Sequence, residues 1–299
     1  GRNPVSEREE MAGSCLEKRI QKAQLTKGQH RIADYFLKNQ NRICNMTSLA
    51  IAKEIGVSDA SVIRFSRAIG YSGFTELKEN LYAHLVQDLT NVDVSNFAPA
   101  QRLDFQINEF KSLDLAEEYL RLMTHNIEQT IRQNNPYLCE RAVDILVKSR
   151  RKIVVGVQGS KSSAIQFSRL LGFLLDRVEL LTTGESDELS TLRGLGKEDA
   201  LVAISYARYY KTDAYLASLA RKAGTSIIVL ADSIKSPWTQ VADVLFLVET
   251  KHMGGFNSIL GTTGLLEYLI TLLCWKYPSE CGDRLKERDQ IVSPLLLDN

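Results

Sequence analysis

The sequence predicts an all-α N-terminal domain followed by an α/β domain built on a five-stranded, doubly wound parallel sheet. Three observations carry this prediction. From Ser14 to Leu89 apolar residues recur at helical spacing. After Arg151 the rhythm changes to five short β-branched runs, each separated from the next by enough chain for a helix or crossover. Between the two regions, NVDVSNFAPAQ and the residues after it, Asn91 to Gln106, have the composition of a linker. The domains so defined are 14–90, a linker 91–106, and 107–299.

The elements follow in order. LEKRIQKAQ and LTKGQHRIADYFLKNQ place Leu25, Ile32, Phe36 and Leu37 on one helical face, with Thr26 as N-cap before Lys27. Shorter helices are expected from about Thr47, Ser58 and Thr75. DLAEEYLRLMTHNIEQTIRQ and PYLCERAVDILVKSR predict two more, the second with Pro136 in its first turn. The strands are KIVVGV, VELLT, ALVAIS, SIIVLA and DVLFLV. They lack strict alternation, which indicates strands covered on both faces. In such a sheet ligands bind at the carboxyl ends of the strands.

Composition excludes little. The 299 residues suggest two domains, and 44% hydrophobic content suffices for packed cores. A net charge of +1 neither demands nor excludes nucleic acid. The cysteines (Cys15, Cys44, Cys139, Cys274, Cys281) are odd in number and form no C-x-x-C pair, so reduced thiols are expected. His30, His84, His125 and His252 show no metal-ligand spacing, so no metal and no cofactor are expected. The apolar stretch Gly264–Trp275 is interrupted by Glu267 and too short to span a bilayer. No signal peptide is read either. The expectation is a soluble, cytoplasmic protein with no membrane partner.

One segment is specific. In SLAIAKEIGVSDASVIRFSRA, Ser48 to Ala68, Ala52 is small where two helices approach closely, and Gly56 sits at a tight turn. Ile51 and Ile55 face inward from the first helix, Val62 and Phe65 from the second, and Ser58 caps the second. This is the spacing of a helix-turn-helix; the alternative is an arbitrary helical hairpin. The outer face then carries Asp59, Ala60, Ser61, Arg64 and Arg67, with Ser58 at its start a further DNA-contact candidate. Ser61 and Asp59, near the helix start, are candidates for base contact; Arg64 and Arg67 suit guanine or phosphate. Lys53 and Lys78 are candidate phosphate contacts, against the alternative of solvated surface. From Ser14 to Thr90, eleven Lys/Arg and seven Asp/Glu leave 11 − 7 = +4, consistent with a face for double-stranded DNA.

LTKGQHRIADYFLKNQNRI and MTSLAIAKEIGVSDASVIRFSRAIGYSGFTELKENL resemble the N-terminal domain of the RpiR/MurR family of bacterial transcriptional regulators. The match rests on Ser58, Arg64, Phe65, Gly70, Tyr71, Gly73 and Phe74. The resemblance implies a C-terminal sugar isomerase (SIS) domain over the rest of the chain. It also implies a phosphosugar-like effector and a homodimer or homotetramer.

Phosphosugars in SIS domains sit where strand ends meet helix N-termini. The first loop, GVQGSKSSA, meets neither the G-x-x-x-x-G-K-[ST] nor the G-x-G-x-x-G pattern. It is similar to the family's G-x-G-x-S: Gly156 and Ser160 match, and Gln158 replaces the second glycine. Ser160 is the first phosphate candidate, with Ser162 or Ser163 as helpers; the alternative is that these serines only cap the next helix. In ISYARYYKT, Ser205 matches the first serine of the family's I-S-x-S-G-x-T. Ala207, Arg208 and Tyr210 stand where serine, glycine and threonine are usual. Two hydroxyl donors are changed or lost, and a guanidinium suited to phosphate or carboxylate is gained. Ser258 is a further candidate for the cleft.

Isomerisation needs a positioned base. Glu185, Asp187, Glu188 and His252 follow strands, and none carries a base-plus-partner signature. No catalytic residue is assigned. The leading expectation is a DNA-binding regulator that senses a phosphosugar or related acidic metabolite. The alternatives are a sugar-phosphate isomerase with a helical accessory domain, and a ligand-independent dimeric DNA-binding protein.

Overall fold

The computed structural model describes residues 16–43, 46–81, 97–110 and 114–297. Cys15, Cys44 and linker residues 91–96 lie outside those spans. The described chain forms two compact units. One gathers the residues up to 81 with 104–110 and 114–118; the other gathers 97–103 with 119–297.

The first unit is helical: α1 (16–22), α2 (Lys27–Lys38), α3 (Gln40–Ile43), α4 (Ser48–Ile55), α5 (Asp59–Ala68) and α6 (74–81). Thr26 caps α2 as expected, and Gln29 closes a capping box: Thr26 N–H donates to Gln29 Oε1 at 2.9 Å and Gln29 N–H to Thr26 Oγ1 at 3.4 Å. Phe36 is fully buried at the centre. It meets Phe65 edge-on at 5.1 Å and Phe74 at 6.4 Å, the arrangement that aromatic quadrupoles favour.

Two helices span residues of both units: α7 (Pro99–Phe110) and α8 (Leu115–Gln133). The second half of the expected linker is therefore helical. Pro99 occupies the first turn of α7, and Ala98 N–H donates to Gln101 Oε1 at 3.0 Å. In a stretch with linker composition, Pro99 serves as a helix start. After α9 (Pro136–Lys148) come β1 (Lys152–Val155), α10 (Lys161–Gly172), β2 (Val178–Leu181), α11 (Ser186–Leu189), β3 (Ala200–Ser205), α12 (Lys211–Ala223), β4 (Ser226–Ala231) and β5 (Val244–Leu247). Helices α13 (Leu260–Lys276) and α14 (Pro278–Val292) complete the order.

The sheet runs β2-β1-β3-β4-β5 with every pair parallel, the doubly wound order expected. Its two faces are separate cores. Val154, Val202, Ile204, Ile228 and Leu230 pack with α9, α10 and α13, while Ile153, Leu201, Ala203, Ile227 and Val229 pack with α12 and Trp238. Alternate side chains thus leave opposite faces, which is why these strands read as unbroken apolar runs. No helix among the described residues is long and apolar enough to cross a membrane.

The β5 edge is covered by side chains rather than by a strand. On α8, Asn126 Nδ2 donates to Lys251 O at 2.7 Å and Thr130 Oγ1 accepts Glu249 N–H at 2.9 Å; Asn134, the first residue past the helix, accepts Leu247 N–H at its Oδ1 at 3.0 Å. A four-residue helical step rises about 6 Å and a two-residue strand step about 6.6 Å, so the two ladders stay in register. This satisfies edge groups that would otherwise recruit another chain. Asn134→Ala orphans the Leu247 N–H, whereas Leu247 O keeps Gln133 Nε2 at 2.9 Å. A loss of about 1–3 kcal/mol is expected, read by urea unfolding.

Candidate nucleic-acid and effector sites

The helix-turn-helix is built as its spacing requires. Gly56 ends α4 with φ 76°, a left-handed turn, and its N–H and that of Val57 both donate to Ala52 O at 2.9 Å. Ile51, Ala52, Val62 and Phe65 are buried. Ser58 caps α5: Ser61 N–H donates to its Oγ at 3.2 Å, and the two hydroxyls lie 2.8 Å apart. Arg64 Nη2 then donates to Ser61 Oγ at 3.1 Å, and Arg67 Nε to Ser72 O at 3.1 Å. Neither bond is to a carboxylate. Both guanidiniums are exposed, so each keeps donors for a partner outside the chain. Asp59 is half-buried in the first turn, where the helix dipole favours an acid. Lys53 is exposed in the last turn of α4, and Lys78 is half-buried on α6.

In the second unit Gly156, Gln158 and Ser160 follow β1, and Ser205 and Arg208 lie at and after the end of β3, the carboxyl ends of two neighbouring strands where the strand order reverses. Gly156 is buried, and a Cβ there would meet Ala164 Cβ at 2.6 Å and Ser160 O at 2.8 Å. Only glycine lets the turn fold this tightly against α10. Gln158 has φ 52°, the left-handed region, which accounts physically for a glycine at this position of the resembling loop. Ser160 is buried, and its hydroxyl donates to Val157 O at 3.0 Å; Ser162 is exposed on the first turn of α10.

Ser205 is buried at the end of β3, accepting from Ser236 Oγ at 2.9 Å. The adjoining Tyr206 joins the loops. Its hydroxyl lies 3.3 Å from Ser163 Oγ and donates to Thr262 Oγ1 at 2.7 Å. Burial pushes this phenol up to about 12, against the pull of those two bonds. Arg208 is exposed. Ser258 is buried, but its hydroxyl turns to Met123 Sδ at 3.3 Å and accepts Leu260 N–H at 3.3 Å.

Residues that sequence reasoning missed complete the edge. Asp232, directly after β4, accepts Ala207 N–H and the Tyr209 hydroxyl, each at 2.9 Å. Burial nevertheless raises its carboxyl above the usual range. Its position one residue past a strand was the available signal. Asn257 Nδ2 donates to Ala207 O at 2.8 Å, and nothing local announced it.

Glu188 is spent on its own turn. Its carboxylate accepts the N–H groups of Thr182, Thr183 and Gly184 at 2.7, 2.6 and 3.2 Å. Burial pushes its pKa up, but these bonds outweigh it and hold the group at about 2, below its ordinary 4.5. The folded value is the depressed one, so this contribution is full above about 4.5 and is lost as pH falls towards 2. Glu188→Gln is expected to flatten the stability-versus-pH curve in that window. Urea midpoints of both proteins at successive pH values read this. Glu185 and Asp187 are exposed, and His252 Nδ1 accepts Gly254 N–H at 2.8 Å.

A helix-turn-helix with a cationic outer face, joined in one chain to a strand-end site on a parallel sheet, defines a class: a transcriptional regulator with a SIS-type domain. The sequence profile of the rpiR-family helix-turn-helix domain matches residues 15–88. An uncharacterized HTH-type transcriptional regulator from Haemophilus influenzae is 28% identical over 233 residues, 76% of this chain and 77% of the relative. The sugar isomerase domain of an RpiR transcription factor from Sphaerobacter thermophilus superposes with a TM-score of 0.55 at 26% identity, covering 60% of this chain and 99% of that one. The Vibrio vulnificus NanR protein complexed with ManNAc-6P shares the fold over 96% of this chain and 100% of that one, with a TM-score of 0.53 at 18% identity.

Proposed function

We propose that this regulator binds operator DNA through α5 and that a phosphosugar or related acidic metabolite, bound at the β1–β3 edge, sets its DNA affinity. Residues 14–90 read DNA, 91–106 connect, and 107–299 sense and assemble a homodimer or homotetramer. Two copies would present α5 to successive major grooves. The observation that carries the reading is the turn at Gly156–Ser160, too tight for any side chain at Gly156, leading into α10 on the same chain as the helix-turn-helix. Arg208 favours an anion, and its replacement of the usual small residue widens the class beyond phosphosugars to other acids. The NanR complex supports a sugar phosphate as the first class to try.

Sensing without turnover is supported by the acids at the strand ends. Glu188 is engaged in its turn, Asp232 accepts the Ala207 N–H and the Tyr209 hydroxyl, and Glu185 and Asp187 are exposed. DNA as the target places the protein in the cytoplasm. A thermal-shift screen of phosphosugars, sugar acids and inorganic phosphate tests the proposal. A saturable stabilisation by one of them, without its chemical conversion, is expected. Conversion of the sugar by the chain, or stabilisation by none, would sink it.

A further inference from the structure

The Ser205–Arg208 turn is gripped on both sides of one residue. Ala207 donates its N–H to Asp232 at 2.9 Å and accepts Asn257 Nδ2 at its carbonyl at 2.8 Å. Asn257 in turn accepts Arg102 Nη1 at 2.6 Å. Arg102 lies in the first turn of α7, only 7% exposed, with its Nε donating to Phe97 O at 3.2 Å. Burying a guanidinium is unfavourable unless its donors are satisfied, so the residue is committed to this position. The start of α7 has a second anchor. A Cβ on Gly255 would lie 2.6 Å from Pro99 O, so the Asn257 loop and the first residue of α7 meet backbone to backbone. Helix α7 is continuous to Phe110, and from Asp104 its residues belong to the helical unit.

We infer that Arg102 is a positioning residue for the response: through Asn257 it ties the first turn of α7 to the turn that carries Ser205 and Arg208. The inference rests on the reading that an acidic effector binds at this turn. An effector that shifts Ala207 strains or relieves the Asn257–Arg102 pair. It then binds the two states unequally, which is the condition for coupling. Coupling is reciprocal, so DNA held by the helical unit must alter the same turn.

Hydrogen exchange on the full chain tests this. Asn257→Ala is expected to speed exchange at 100–106 at least tenfold and leave 227–231 unchanged; equal rates in both proteins overturn the inference. With a DNA duplex selected by the chain from a random-sequence pool, protection at 206–209 is expected to change in the wild type. It should not change in Asn257→Ala, although duplex affinity stays within threefold. A response of equal size in the variant overturns the inference. Asn257→Asp keeps an acceptor for Arg102 and loses the donor to Ala207. It is expected to retain protection at 100–106 and lose the response at 206–209, a split that a merely structural role does not produce. Neither arm contains an effector, so a phosphosugar screen without a binder would overturn the effector reading alone.

Discussion

Arg64→Ala and Arg67→Ala are each expected to weaken operator binding by about 1–3 kcal/mol, the range for losing a bidentate contact to guanine. Ser58 fixes where α5 begins, so Val62 and Phe65 fill the core and residues 61, 64 and 67 fall on the outer side. Arg64 rests on Ser61 and Arg67 on Ser72, which limits the rotamers each loses on binding. Both are exposed, so their removal leaves no buried group unpaired and folding stability should change little. Fluorescence anisotropy at fixed salt, with thermal unfolding as control, separates contact from fold. Lys53→Ala and Lys78→Ala should instead lower affinity alike on all sequences and reduce the salt slope. Unchanged affinity in both arginine variants would remove α5 as the recognition helix.

Gly156→Ala is expected to abolish effector binding and destabilise the chain by about 1–3 kcal/mol, the cost of overpacking a closed site. The new methyl would sit 2.6 Å from Ala164 Cβ and 2.8 Å from Ser160 O. One obstacle is backbone and the other a short, buried side chain on α10, so neither can rotate aside. The turn must open, carrying Ser160 and the start of α10 with it. The effect is thus on the geometry that offers N–H groups to an anion rather than on any one hydroxyl. Ser162→Ala provides the contrast, since Ser162 is exposed and its loss should leave stability unchanged. Urea unfolding and calorimetry with the best-binding phosphosugar read the two effects. A Gly156→Ala protein that binds as the wild type does would remove this turn from the site.

The strands were legible because each is buried on both faces and so written as a run of apolar residues. The helix-turn-helix was legible because Gly56, Ser58, Val62 and Phe65 are fixed by local backbone geometry. Contacts distant in sequence were not. Asn126, Thr130 and Asn134 look like the polar stripe of an amphipathic helix, and only the β5 edge, 113 or more residues away, gives them a role. Ser236 meets Ser205 across 31 residues and Asn257 meets Ala207 across 50, and composition carries no trace of either. Arg102 was hidden for another reason: NVDVSNFAPAQ reads as linker, yet its Pro99 opens a helix. Ser258 shows the reverse. Its place after β5 suggested the cleft, but its hydroxyl faces α8.

The most direct test is the operator affinity of the full chain, measured by anisotropy across a titration of each phosphosugar that stabilises it. At least one is expected to shift the affinity tenfold or more, about 1.4 kcal/mol of coupling, and the shift is expected to vanish in Gly156→Ala while duplex binding remains. An affinity unmoved by any saturating phosphosugar or sugar acid would contradict the proposed function.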